Sequence, residues 1–382
     1  MKRNTFCRLP WEGIDISAQN EFKPCCKYRG SVSSTLTDYR SSQELTDLQN
    51  EFLSGGTPKK CVRCWNDENA GLLSKRQIDF TNHLVDLPHP PGEDGYKIVS
   101  VTFGNTCNLA CRTCSSFASS KWGVIEKKLK CSPQLGGFYP HNKYYKNEEY
   151  IQDMLMISKT AKLIEISGGE PFITGEREHK HLLRQLLQYS PHEKSIHYIT
   201  NATKFPDPEF WELWKYFKNV DIQLSLDGVG EKFEYLRWPA KWEEVLANVR
   251  KYKEMRSNMG NIQLSISHTI SILNVWYVRE FIDWCQSEKL PTPYLGLVHT
   301  PYHYAINNLT GSIKLNIADH LSKTCCQTDS EHLISFLMQP PSKANSLDDF
   351  FYWTSELDEM RAQSFSTTLP EIYKIITNNK VA

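Results

Sequence analysis

"KIVSVTFGNTCNLACRTCSS", residues 97–116, runs a β-rich segment straight into Cys107, Cys111 and Cys114. Three thiols inside eight residues pose a chemical question. A structural zinc site wants four ligands in a closed tetrahedron. A disulfide set wants an even count and a backbone geometry that such close spacing strains. Three crowded cysteines suit a metal centre left one coordination position short. An iron–sulfur cubane fits this description, because three thiolates hold three irons and leave the fourth open. On spacing alone, a zinc knuckle with a borrowed fourth ligand, or three unrelated cysteines, stays open.

The surrounding pattern gives the fold class. From about residue 96, strand-like runs appear at "KIVSVTF", "KLIEIS", "SIHYIT", "VDIQLSL", "IQLSISHTI" and "PYLGLV". Amphipathic helical stretches such as "EHKHLLRQLLQYS" and "KWEEVLANVRKYKEM" lie between several of them. Strands alternating with helices predict an α/β fold with a parallel sheet of βαβ units. Six strands make most of a barrel, a partial (β/α)6 arrangement, with functional loops at the carboxyl ends of the strands. The unusual residues fall at that edge: the cysteines after "SVTFGNT", "GGEP" after "LIEIS", "TNAT" after "HYI" and "SLDG" after "VDIQL".

Ahead of this region lie Cys7, Cys25, Cys26, Cys61 and Cys64. "WEGIDIS" and "EFKPCC" read as a β-hairpin, and "SSQELTDLQNEFLSGG" as a helix stopped by glycine. "DLPHPPGEDG" (86–95) reads as a linker. The expected division is an N-terminal cysteine-rich module (1–92), a barrel (93–300) and a helical C-terminal extension (301–382).

Composition bounds the function. The formal net charge is +0 and 23% of the 382 residues are charged, so no basic field gathers nucleic acid, and a nucleic-acid partner is disfavoured. No run of about 18 apolar residues predicts a membrane span, and "MKRNTFCRLPWEG" lacks the apolar core of a signal peptide. Twelve cysteines without those features point to a cytoplasmic chain with reduced, metal-binding or catalytic thiols.

"CNLACRTC" followed by "GGEP" resembles the radical S-adenosylmethionine superfamily over about residues 96–300. One departure is Thr113, where many members carry an aromatic residue. The resemblance implies that Cys107, Cys111 and Cys114 ligate a 4Fe–4S cluster whose open iron chelates S-adenosylmethionine. It implies that Gly168, Gly169, Glu170 and Pro171 receive the methionine ammonium; glycines admit close backbone approach and a carboxylate favours a cation. By the same resemblance Asn201 lies near the ribose, Ser225 and Asp227 face the ribose or carboxylate, and Arg237 pairs with the methionine carboxylate. A capping serine, a turn aspartate, a surface arginine and a turn asparagine are the plain alternatives. The implied reaction is reductive cleavage to a 5′-deoxyadenosyl radical, which abstracts hydrogen from a substrate. That substrate is expected to be a peptide or protein side chain, with a nucleotide, sugar or other small molecule as the alternative. An electron donor such as flavodoxin or ferredoxin is a further implied partner.

The N-terminal thiols could hold structural zinc. "PCC" with the later "CVRCWNDENAG" resembles SPASM and twitch modules, which implies a second, auxiliary iron–sulfur cluster on Cys7, Cys25, Cys61 and Cys64. Such modules usually follow the barrel; here the module precedes it. Neighbouring side chains on a strand point to opposite faces, so Cys25 is favoured and Cys26 is kept as a candidate. A zinc-stabilised interaction protein without chemistry is the reading from a different class. Cys285 and His268 are expected in the core, and Cys131 lies in an aromatic insertion (Phe138, Tyr139, Tyr144, Tyr145) expected to cover the barrel mouth or line a peptide groove. Cys325 and Cys326 have no ligand-like spacing.

Overall fold

Every strand-like run anticipated from residue 96 onward forms a strand. The computed structural model describes residues 5–17, 19–30, 33, 35–71, 73–81, 95–129, 139–143, 146–341 and 346–378. Its strands are β1 (Gly13–Ile16), β2 (Phe22–Lys23), β3 (Ile98–Thr102), β4 (Leu163–Ser167), β5 (Ser195–Thr200), β6 (Asn219–Ser225), β7 (Ile262–Ile270) and β8 (Tyr294–Leu297). They form one sheet in the order β2-β1-β3-β4-β5-β6-β7-β8. Only β2 on β1 is antiparallel; all other neighbours are parallel.

The α/β class and the six-stranded parallel array are as expected, and two further strands join them. The hairpin read at "WEGIDIS" and "EFKPCC" is present, and β1 pairs in parallel with β3, Gly13 beside Ile98 and Asp15 beside Ser100. The sheet therefore has eight strands where six were expected. Gly13 is needed where the hairpin folds back, since a Cβ there would lie 2.7 Å from the Pro24 carbonyl oxygen and 2.8 Å from Leu9 Cδ2. Of the linker read at 86–95 all but Gly95, and the boundary at 92/93, lie outside the described residues.

Helix starts follow local chemistry. Asn147 caps Glu148–Ser158 by accepting from Glu149 N at 2.9 Å, and Asp207 with Pro208 opens Pro208–Trp214. Ser42 caps Gln43–Leu53. The outward strand residues Val99, Val101, Ile164, Ile166, Ile196, Tyr198, Val220 and Ile222 share one core with Met154, Leu183, Trp214, Val245 and Phe281 from the helices. Each such side chain contributes about 1.5–3 kcal/mol by leaving water. Cys285 and His268 belong to this side, as expected. His268 Nδ1 meets the Leu226 carbonyl at 2.9 Å and its ring stacks on Phe281 at 4.0 Å.

The alternate strand positions are polar. Asp15, Ser100, Thr102, Glu165, Ser167, His197, Asp221, Gln223, Ser225, Ser265 and Ser267 line the face turned away from the helices, following the period of two. A closed eight-stranded barrel fills that face with branched apolar side chains. Here the inner face is built for something other than packing. Beyond β8, the helices Gly311–Thr324, Gln327–Leu337, Ser346–Arg361 and Pro370–Asn378 make a second core with Tyr235, Ile270 and Ile272. Among the described residues no helix is long and apolar enough to cross a membrane.

Gly13→Ala should lower the unfolding free energy by about 1–3 kcal/mol through overpacking against Pro24 and Leu9. Urea unfolding measures it; an unchanged midpoint would contradict the packing of the hairpin described here.

Candidate functional site

Beyond Thr102 the chain leaves β3 and passes through a loop without regular structure to Ser120. Backbone polar groups in such a loop need partners, and the sequence supplies them from all sides. Asn105 is fully buried; its Nδ2 donates to the carbonyls of Ser116 (2.9 Å) and Pro140 (2.8 Å), and its Oδ1 accepts from Asn142 N at 2.7 Å. Ala110 N and Arg112 N donate to the carbonyls of Trp238 and Leu236, each at 2.8 Å. Trp122 Nε1 donates to the Cys111 carbonyl at 2.8 Å, and Arg361 Nη2 to the Ala110 carbonyl at 2.9 Å.

These contacts fix the backbone of the loop and leave its thiols for other work. Leu109 N (3.4 Å) and Asn201 Nδ2 (3.7 Å) both donate to Cys107 Sγ. Burial and the neighbouring Cys111 push the Cys107 thiol up to about 12. Cys114 is raised by burial and then by Cys111 and Cys107. Cys111 is raised by burial against the opposing pull of Arg237. Thiols that raise one another are neighbours, and they ionise together only when a cation compensates them. Among the described residues no three His, Cys, Asp or Glu side chains are gathered tightly enough to form a metal set as they stand. The donor chemistry nevertheless fits an iron–sulfur group, with amide donors already aimed at a sulfur.

The "GGEP" turn follows β4 and packs on the entrance to this loop. Gly168 (φ +78°) and Gly169 (φ +55°) are in the left-handed region. A Cβ on Gly169 would lie 2.2 Å from the Thr106 carbonyl oxygen, so a side chain is excluded twice over. That carbonyl accepts from Glu170 N at 2.9 Å and from Thr174 Oγ1 at 2.6 Å. Pro171 is buried behind the turn.

Glu170 is anchored within the protein. Its fully buried carboxylate accepts from Thr200 Oγ1 (2.7 Å), Asn201 N (2.8 Å) and Phe172 N (3.4 Å), so it ties the turn to the end of β5. Burial raises its carboxyl to about 7 against those donors. Arg237 is likewise already paired: its Nε lies 2.8 Å from Asp227 Oδ2, with Cys111 and Cys114 among the charges that favour its cation. Asp227 also accepts from Thr269 N at 2.9 Å. Ser225 ends β6 on the inner face, opposite Ser267. Asn201 does reach the site, since its side chain bridges Cys107 Sγ and Asn108 Oδ1 (3.1 Å).

Several residues around the loop escaped the sequence reading. Arg112, between Cys111 and Cys114, is fully buried. It ion-pairs with Asp358, bonds Gln363 Oε1 (3.1 Å) and the Tyr235 carbonyl (3.0 Å), and stacks 3.7 Å from the Tyr235 ring centroid. No local pattern predicts a partner 246 residues away. Of the aromatic insertion, Tyr139 packs edge-on against Phe117 over the loop. Phe138, Tyr144, Tyr145 and Cys131 lie outside the described residues.

The N-terminal thiols gather at the opposite rim of the sheet. Cys7, Cys25 and Cys61 share a core with Trp65, Ile98 and Leu163, the last two being the first residues of β3 and β4. The Cys25 thiol is raised by burial, then by Cys26, Cys7 and Cys64, while Cys61 is raised by burial and then by Cys64. Cys26 is exposed, and the largest charge effects on its thiol come from Lys75, which lowers it, and Asp15, which raises it. At about 3.3 Å per residue, the length of β3 alone keeps the two thiol groups about 13 Å apart. Cys325 is buried and Cys326 exposed in the C-terminal helical layer, away from both groups.

The family model described as Radical SAM superfamily matches residues 101–284. The sporulation killing factor maturation protein SkfB of Bacillus subtilis (strain 168) is 26% identical over 213 residues, covering 54% of this chain and 44% of SkfB. The chain therefore spans less than half the length of that curated relative. Among solved structures, native anSMEcpe with bound AdoMet and Kp18Cys peptide has a TM-score of 0.39 and 15% identity, covering 59% of this chain and 60% of that one. Streptococcus suis SuiB bound to S-adenosylmethionine has a TM-score of 0.37 and 13% identity, covering 83% and 68%.

Asp358→Ala should leave the Arg112 guanidinium buried without its carboxylate and cost about 3 kcal/mol. Denaturant unfolding of the metal-free chain reads this directly. A loss below about 1 kcal/mol would mean that the C-terminal helix does not brace the cysteine loop.

Proposed function

We propose that the chain is a radical S-adenosylmethionine enzyme that abstracts hydrogen from a peptide or protein side chain. The observation that carries this reading is the loop after β3, whose three thiols share a rim with a glycine turn bonded to the same loop through the Thr106 carbonyl. In this reading Cys107, Cys111 and Cys114 hold a 4Fe–4S cluster. When bound, that group supplies the electron that cleaves S-adenosylmethionine to methionine and a 5′-deoxyadenosyl radical.

The work left to the protein is holding and orienting. Gly168 and Gly169 offer backbone in a conformation that lets a ligand ammonium approach closely. Glu170 acts one step back, by fixing the turn against Thr200 and Asn201. Arg237, held by Asp227 beside the thiols, supplies positive charge where an anionic cluster and a carboxylate gather. Asn201 tunes Cys107 by hydrogen bonding to its sulfur. Ser225 adds a hydroxyl to the inner face at the end of β6.

We assign a second, auxiliary iron–sulfur cluster to Cys7, Cys25, Cys61 and Cys64; mutual electrostatics favour Cys25 over Cys26. The peptide class leans on SkfB, whose name describes maturation of a killing factor. Electrons would come from a donor such as flavodoxin or ferredoxin, in the cytoplasm.

Anaerobic purification with iron and sulfide counting tests the assignment on wild type and on the Cys107/Cys111/Cys114→Ala triple variant. Wild type should hold two clusters' worth of iron and release 5′-deoxyadenosine with dithionite and S-adenosylmethionine. The variant should lose about one cluster and all of the product. Bound zinc in both proteins, with no cleavage in either, would overturn the reading.

A further inference from the structure

The inner face of the sheet carries a belt of charge that the proposed cofactor chemistry does not use. Asp15, Ser100, Glu165, His197 and Asp221 stand side by side on β1, β3, β4, β5 and β6, each in register with the next. Contacts confirm that they share one face. Ser100 Oγ donates to Glu165, and Lys75 Nζ reaches both Glu165 oxygens at 3.0 and 2.9 Å. His197 Nδ1 lies 2.7 Å from Asp221 Oδ2, and Ser265 Oγ donates to both Asp221 oxygens at 3.0 and 2.9 Å.

The belt's acids are not equally committed. Glu165 is neutralised by Lys75, and Asp221 is spent on His197 and Ser265. Asp15 is 6% exposed, and its carboxylate has no hydrogen-bond partner among the described residues. A buried carboxylate left unpaired is costly; burial and the nearby Glu165 push this one up to about 7. Lys23 stands beside Asp15 on β2, and its charge and that of Lys75 oppose the rise, but its ammonium is paired with Glu21 at 3.0 Å, so among the described residues Asp15 is the acid of the belt without a hydrogen-bonded partner. The belt's depth also suits a substrate. Glu165 precedes Gly168 by three residues, about 10 Å along the strand, which places the belt one substrate group below the cofactor-facing rim.

We propose that this belt is a substrate subsite that seats a basic group, the amine or guanidinium of a lysine or arginine side chain, against Asp15. The subsite deepens the enzyme reading above and rests on it for the identity of the occupant as substrate. Charge-assisted hydrogen bonds to a carboxylate are the strongest such a face can offer, and a guanidinium can engage both oxygens at once. His197, its Nδ1 turned to Asp221, holds its other ring nitrogen for a second polar group of the same substrate.

The test uses the reconstituted full chain with S-adenosylmethionine under anaerobic conditions. The probes are N-acetylated Gly/Ser nonapeptides that differ only at a central lysine, arginine, norleucine or glutamine. Equilibrium dialysis read by mass spectrometry gives their relative affinities. The lysine and arginine peptides should bind at least about tenfold tighter than the norleucine peptide, and Asp15→Asn should bring the ratio to within about twofold. Lys75→Met, which frees Glu165, should widen the preference, and it keeps the test open if Asp15→Asn does not fold by thermal melting and iron content. No preference in wild type, or one that survives Asp15→Asn, overturns the subsite. Preference without 5′-deoxyadenosine release supports the subsite and counts against the enzyme reading, so the two fail separately.

Discussion

A guanidinium with no exposure to solvent, Arg112, sits between Cys111 and Cys114. Taking such an ion out of water costs several kcal/mol unless its partners are well placed. Its carboxylate, Asp358, also accepts from Tyr235 Oη (2.8 Å) and Phe365 N (2.6 Å), so one acid joins the cysteine loop, the segment after β6 and two C-terminal helices. Arg361, one turn further along the same helix, bonds the Ala110 carbonyl within the loop. The irregular loop of thiols thus owes its shape to the extension at the far end of the chain. That dependence explains why the extension packs where it does, against Tyr235 and Leu236 in a core of its own.

The sheet divides its labour by face. Outward positions carry Val, Ile and Leu and bind the helices, while inward positions carry Ser, Thr, Asp, Glu and His. A filled barrel would gain more stability from apolar layers; the polar lining trades that stability for a surface on which a ligand can be held. The N-terminal module participates in that lining. It contributes β1 with Asp15, and its helix Lys75–Thr81 sends Lys75 to Glu165 on β4. Thiols at the carboxyl rim, a polar belt in the middle and thiols at the amino rim therefore follow one another along the strands.

Much of this was legible from local pattern. The six parallel strands and the intervening helices follow from alternating hydrophobic periods, and Cys285 and His268 fall in the core as their positions on helix and strand implied. The glycines of "GGEP" were read as letting a ligand approach the backbone closely; in the structure Gly169 lies against the Thr106 carbonyl. Remote partners carry no local signal. Glu170 and Arg237, read for their fit to a ligand, each have a protein partner as well, because burial demands one regardless of what else binds. The union of β1 with β3 was missed because a four-residue strand pairs across a gap of more than eighty residues, and no spacing signals such a pairing. Arg112 and Asp358 were invisible for the same reason.

Everything proposed for the site rests on Cys107, Cys111 and Cys114 holding a cluster with one iron open to S-adenosylmethionine. Electron–nuclear double resonance on the dithionite-reduced holoprotein, with the cofactor labelled by ¹⁵N at its amine and ¹⁷O at its carboxylate, reads that bond. Hyperfine coupling from both labels to the cluster is expected. A reduced cluster with no coupling to either label, or no paramagnetic cluster at all, would contradict it.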